Sequence, residues 1–162
     1  MTNFELDDIE AGLRRRHVSL AMTPAEREAF LADLHVGVVS VTADGRAPLT
    51  MPIWYSYEPG GTVSFITGRT SRKAVLIERE QRLSLCAQTE EAPYRYVTVE
   101  GPVVAVEDDI DPEERKAIVY RYLGREFGEA YLSATEADIA GSVMIRMRPE
   151  RWLSVDYSKE FG

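Results

Sequence analysis

The stretch VGVVSVTADGRAPLTMPIWYSYEPGGTVSFIT, residues 36–67, commits this chain to antiparallel sheet. Three apolar runs, residues 36–42, 49–57 and 62–67, are separated by Asp44-Gly45 and by Pro59-Gly60-Gly61. Asp-Gly supplies the positive φ that a tight hairpin turn requires, and Pro-Gly reverses the chain within a few residues. Strands joined this closely run antiparallel, because parallel neighbours need a crossover of a dozen residues or more. The first run is rich in Val, as a pleated and half-buried surface prefers.

The rest of the chain extends that pattern. RLSLCAQ, residues 82–88, reads as a fourth strand, residues 94–106 as a long fifth, and residues 143–147 as a half-exposed last one. Thr23, Pro24 and Glu26 spell a capping box with Pro at the first helical position, so a helix begins there. Residues 72–80 form a second helix, interrupting the meander. Asp111-Pro112 starts a third, ending near Gly124, and Ser133-Ala134-Thr135-Glu136 reads as the start of a short fourth. Residues 1–22 lack a clear period and read as an N-terminal arm, with its Arg14, Arg15, Arg16 and His17 either solvated or in contact with an anion. Residues 23–162 then make one domain, mainly β with peripheral helices (α+β): a six-stranded antiparallel small barrel.

Charge and composition exclude several classes of function. The 162 residues carry a net charge of -8, against general nucleic-acid binding. No apolar run approaches the roughly 20 residues of a membrane span. The opening residues lack a signal peptide's apolar core and Cys86 has no internal partner, so a reducing cytoplasm is expected. His17 and His35 have no acidic or cysteine neighbours at metal spacing, so no metal site is expected. Cys86 alternates with Leu83 and Leu85, as a packed thiol would, although a nucleophile is the other reading of a lone cysteine. Neither a G-x-S-x-G elbow nor a glycine-rich nucleotide loop occurs.

In this acidic chain, TGRTSRKAVL, residues 67–76, places Arg69, Arg72 and Lys73 at the junction of a strand and a helix. Cations at a helix N-terminus oppose the dipole, at a few tenths to about 1 kcal/mol each. A phosphate reverses that balance, taking bonds from free N–H groups, from the Ser71 hydroxyl and from the cations. A solvated cluster paired with Glu78, Glu80 or a neighbouring carboxylate is the alternative. The second strand, PLTMPIWYSY, is apolar on both faces, with Leu49, Met51, Ile53 and Tyr55 on one, and Pro52 and Trp54 beside Thr50 on the other. Such a strand belongs inside packed layers or a subunit contact. Pro52 cannot donate to a ladder, so it marks an edge or a bulge, where backbone groups are open to a flat ligand. Tyr94 and Tyr96, flanking Arg95, either border a pocket or form an exposed aromatic face.

The order of strand, D-G hairpin, PLTMPIWYSY, VSFITGRTSRKAVLIERE, RLSLCAQ and APYRYVTVEGPVVAVED resembles the pyridoxamine 5'-phosphate oxidase-like split β-barrel superfamily. Within it the chain is similar to the flavin/deazaflavin (F420) oxidoreductases, over roughly residues 24–156. That resemblance implies a homodimer holding FMN or the deazaflavin F420 in a groove between subunits. It places the cofactor phosphate at Thr67, Ser71, Arg72 and Lys73, and the ring beside Thr50, Met51, Pro52 and Ile53. Pyridoxamine phosphate oxidation itself is not expected: Thr50 and Tyr55 stand near the family's two basic positions, and RWLSVDYSKEFG lacks its Arg- and His-containing C-terminal motif.

These expectations converge on hydride transfer between a flavin-type cofactor and a small unsaturated substrate, with the catalytic residues unassigned and Tyr55 or Tyr94 as candidate proton donors. A non-catalytic flavin- or haem-like ligand carrier on the same barrel is the rival. Arg69, Arg79 and Arg82 would offer the anionic tail of F420 a basic path, which FMN does not need.

Overall fold

The computed structural model describes residues 19–161. Residues 14–17 and most of the expected arm lie outside the described residues. The elements are α1 (Pro24–Ala32), β1 (Gly37–Val41), β2 (Leu49–Ile53), β3 (Val63–Gly68), α2 (Arg72–Glu80), β4 (Arg82–Gln88), β5 (Arg95–Glu107), α3 (Pro112–Ala134), β6 (Ser142–Met147) and β7 (Arg151–Asp156).

Six strands run in the order β2-β1-β4-β5-β6-β3, antiparallel throughout. Beyond β2 the chain meets β3 at a single bridge, Ser56 to Ser64, with N–H···O distances of 2.8 and 2.9 Å in the two directions. The ring is thus closed at one rung and open elsewhere along that seam, which is the split barrel the sequence resembles. Strand β5 spans both halves. Its first part pairs with β4 and β7, and its end pairs with β6 after a register shift between Val103 and Ala105.

A seventh strand, β7, was not expected. The turn from β6 into β7 crosses β5 at Gly101, with Arg148 N–H on Pro102 O at 3.0 Å and Glu150 N–H on Glu100 O at 2.9 Å. A Cβ on Gly101 would lie 1.8 Å from Arg148 O, so only glycine admits this crossing.

Val39, Val41, Tyr55, Phe65, Leu85, Val97, Val99 and Ile145 fill the barrel, capped by Leu31 of α1 and Ile77 of α2. A smaller cluster of Ile110, Ile118 and Met144 lies under α3, beside Trp54 and Tyr122. Helix α3 departs from expectation at its far end. Gly124 breaks it locally at φ 70° and ψ -178°, but the helix resumes and continues to Ala134. Ser133 therefore closes a helix rather than starting one, and a 3-10 turn at Ile139–Gly141 leads into β6.

Candidate functional site

The junction of β3 and α2 is built from its own residues. Ser71 is the N-cap, and its Oγ accepts from Ala74 N–H at 3.2 Å and lies 3.2 Å from the Oγ of buried Thr67. The turn is closed by Ser71 N–H on Gly68 O at 3.0 Å. The amides of Arg72 and Lys73 have no acceptor among the described residues. No acid occupies the first turn of α2, whereas α1 carries Glu26 there and α3 carries Glu113 and Glu114. Arg72 is exposed, and neither it nor Lys73 forms an ion pair among the described residues. Lys73 is half-buried, and burial lowers its pKa from the ordinary value of 10.5 with no opposing carboxylate.

The neighbouring arginines differ. Arg69 Nη1 sits 3.0 Å from Glu78 Oε1, and its other side is held by Asp108. Arg79 pairs with Asp44 at 3.4 Å and Glu80 at 2.6 Å, and Arg82 with Glu150 at 3.0 Å. The basic path expected for an anionic tail is thus already met by carboxylates.

A cleft of about 530 Å³ opens between the end of β2, β3 and α3. Pro52, Ile53 and Trp54 form one wall, Ile66 the floor, and Ile118 and Tyr131 of α3 the far wall. Trp54 is held flat against Tyr122, with ring centroids 5.2 Å apart at an interplanar angle of 5°. None of Thr67, Ser71, Arg72 and Lys73 lines the cleft; its link to the α2 junction runs along β3, where the lining residue Ile66 precedes Thr67 and Gly68 pairs with Ser142, another lining residue.

Of the expected site residues, Thr67, Ser71, Arg72 and Lys73 gather at the junction, with Arg69 turned to its acids. Pro52 and Ile53 line the cleft, but Thr50 and Met51 lie farther back on β2 and do not. Thr50 is exposed, its Oγ 3.3 Å from Ser40 Oγ, and Met51 is half-buried. The second strand is therefore covered on one face within a single chain, not on both: Leu49, Met51 and Ile53 are half-buried, whereas Thr50 and Pro52 are exposed.

Tyr55 does not serve as an accessible proton donor. It is fully buried, its hydroxyl donates to Leu31 O at 2.8 Å, and burial raises its pKa. Tyr94 is exposed and is not among the cleft's lining residues. Cys86 lies within the sheet, opposite Val38 and Thr98. His35 stacks on Phe30 at 4.3 Å, and among the described residues no His, Cys, Asp and Glu cluster fits a metal ion. Nor is any described helix long and apolar enough to cross a membrane.

The cleft residues of α3 were missed in the sequence, Arg115 among them. Arg115 is buried, donating to Glu136 at 2.7 Å, Thr135 O at 3.0 Å and Thr135 Oγ1 at 2.8 Å. It ties the two halves of the broken α3 together, and its spacing from Ile118 and Val119 on one helical face was the available signal.

The model of the pyridoxamine 5'-phosphate oxidase family matches residues 23–156. The chain belongs to this family. Its fold is similar to that of a conserved hypothetical protein of Mycobacterium tuberculosis, with a TM-score of 0.71 and 21% identity over 91% of this chain and 93% of that one. An F420 reductase gives 0.66 at 22% identity, over 78% and 94% of the two chains. An FAD-binding protein of Mesorhizobium loti gives 0.56 at 20%, over 83% and 94%. At such identities the likeness is one of fold. No curated protein matches the sequence. For a member of the pyridoxamine 5'-phosphate oxidase family the barrel is thereby accounted for, and the chemistry has to be argued from the site.

Proposed function

We propose that this chain is an oxidoreductase that holds a flavin-type cofactor, F420 or FMN, by its ribityl phosphate at the N-terminus of α2 and exchanges a hydride with a small, flat, unsaturated substrate. The observation that carries this reading is Lys73: a half-buried cation at the positive end of a helix, without an acid to compensate it. Two free amides, the Ser71 hydroxyl and the Arg72 guanidinium complete a donor set that fits a phosphate.

The bound cofactor supplies the hydride-carrying ring. Arg72, Lys73 and Ser71 fix the phosphate, while Pro52 and Ile53 border the ring and Thr50 and Met51 support it from farther along β2. Trp54, Ile118 and Tyr131 keep water off the reacting face and select a flat, apolar substrate. With Tyr55 sealed in the core, solvent is left as the proton source. The working unit is a homodimer, which closes the open side of the cleft.

Fluorescence titration with FMN and with F420 tests the reading. Charge-assisted bonds are worth about 1.5–3 kcal/mol each, so Arg72→Ala with Lys73→Ala lowers affinity more than about a hundredfold. The cofactor-free variant melts no lower than the wild type, since first-turn cations oppose the dipole. Absence of binding by either cofactor, or unchanged binding in the double variant, overturns the assignment. A cofactor that binds but is never reduced or reoxidised by any donor or acceptor points to the carrier.

A further inference from the structure

We infer that Glu78 and Asp108 determine how well the site accepts negative charge beyond the cofactor's phosphate, by holding Arg69 away from it. The inference rests on the phosphate reading of Arg72 and Lys73. Arg69 stands two residues before the Ser71 cap, its own N–H fixed on Gly141 O at 2.9 Å, so the backbone is anchored and the side chain is the adjustable part. Glu78, on the second half of α2, takes Nη1 at 3.0 Å, and Asp108, at the exit of β5, takes Nε and Nη2. Three of the five guanidinium donors are therefore directed at acids from two other elements.

The two candidate cofactors part company at this point. FMN ends in a phosphate monoester, whereas F420 continues through a phosphodiester into a lactyl–glutamyl tail with several more carboxylates. Arg69, Arg79 and Arg82, the cations that flank the α2 junction in sequence, are already paired with Glu78, Asp108, Asp44, Glu80 and Glu150. A tail extending toward any of these arginines would have to compete with the carboxylates that hold it. FMN stops short of that region. The Arg69 pairs are solvent-exposed, with 38% of the Arg69 side chain accessible, so they are weak enough for a polyanion to displace, at a loss of affinity.

The test compares binding of FMN and F420, by fluorescence, to four proteins: wild type, Glu78→Gln with Asp108→Asn, the same pair with Arg69→Ala, and Glu90→Gln with Glu91→Gln. The last changes net charge equally but in the loop between β4 and β5. Releasing Arg69 raises F420 affinity about tenfold relative to FMN, since each exposed charge is worth up to about fivefold. Adding Arg69→Ala removes most of that gain, and the loop variant shows none of it. Equal gains for both cofactors, a similar gain from the loop variant, or a gain that persists without Arg69 overturns this inference and leaves the phosphate site standing. Failure of both cofactors to bind any of the four proteins overturns the phosphate reading itself, and this inference with it.

Discussion

Thr67 Oγ lies 3.2 Å from Ser71 Oγ, joining the last turn of β3's course to the first residue that caps α2. Ser71 Oγ also accepts the Ala74 amide, so the Thr67 contact fixes the rotamer that makes the cap. Ser71→Ala removes the cap at about 1 kcal/mol, which lowers the melting temperature of the cofactor-free protein by about 2–4 °C. Thermal unfolding measures this directly, and an unchanged melting point shows that the hydroxyl does not hold the helix start.

In the proposed phosphate site, Lys73 sets function against stability. Its folded pKa lies below the 10.5 it has when unfolded, so between those values the unfolded chain binds more protons. Stability therefore rises with pH across that interval, and at pH 7 the charged lysine is a net cost. Lys73→Met is expected to melt above the wild type at neutral pH, with the gap closing toward about pH 10.5. A lower melting point for the variant at neutral pH means that the lysine has a stabilising partner.

Gly101 sits where β5 passes beneath the β6–β7 turn. A Cβ 1.8 Å from Arg148 O cannot be relieved by a rotamer change, because the obstacle is backbone. Gly101→Ala is expected to destabilise the chain by about 3 kcal/mol, the upper end for overpacking. Urea unfolding gives the value, and a cost near zero shows that the β6–β7 turn is free to lift.

Glu26 accepts from Lys159 Nζ at 2.8 Å and from Thr23 N–H at 2.7 Å. The Lys159 bond first, and the Thr23 amide second, lower its pKa from 4.5 to about 2. A depressed acid stabilises the fold above its unfolded pKa and loses that contribution as pH falls from 4.5 to about 2. Wild type and Glu26→Gln therefore differ in melting temperature at pH 6 and converge near the lower limit. Curves that stay parallel down to that limit show that the carboxylate charge is not what matters.

A homodimer is expected from the apolar surface a single chain leaves open. Leu153 is 60% exposed, Phe127 72% and Val75 55%, on β7, α3 and α2 respectively. Light scattering at micromolar concentration should return about twice the 18.3 kDa chain mass. A monomer mass removes the shared cleft from the proposed function.

The legible parts of this fold are those whose instructions are contiguous. Asp44-Gly45 and the Thr23-Pro24 cap each encode a turn or a start within a few residues, and the TGRTSRK run holds the whole of the proposed phosphate site in one loop. β7 escaped because its pairing is decided by the first half of β5, some fifty residues earlier in the chain, which Arg151 and Leu153, exposed on their outer face, do not announce. The cleft escaped for a similar reason. Its far wall depends on the break at Gly124 and on Arg115 reaching Thr135 and Glu136, and local periodicity encodes neither. The pairing of Arg69 with Asp108 spans 39 residues and joins a loop to a strand end.

Among the described residues β2 has one ladder partner, and beyond it the seam is held by the single Ser56–Ser64 rung. A strand edge left open in this way invites another chain to add to it. Pro52, exposed in the middle of that edge, has no N–H to offer a newcomer. The residue that lines the cleft wall thereby also guards the barrel against edge-to-edge aggregation.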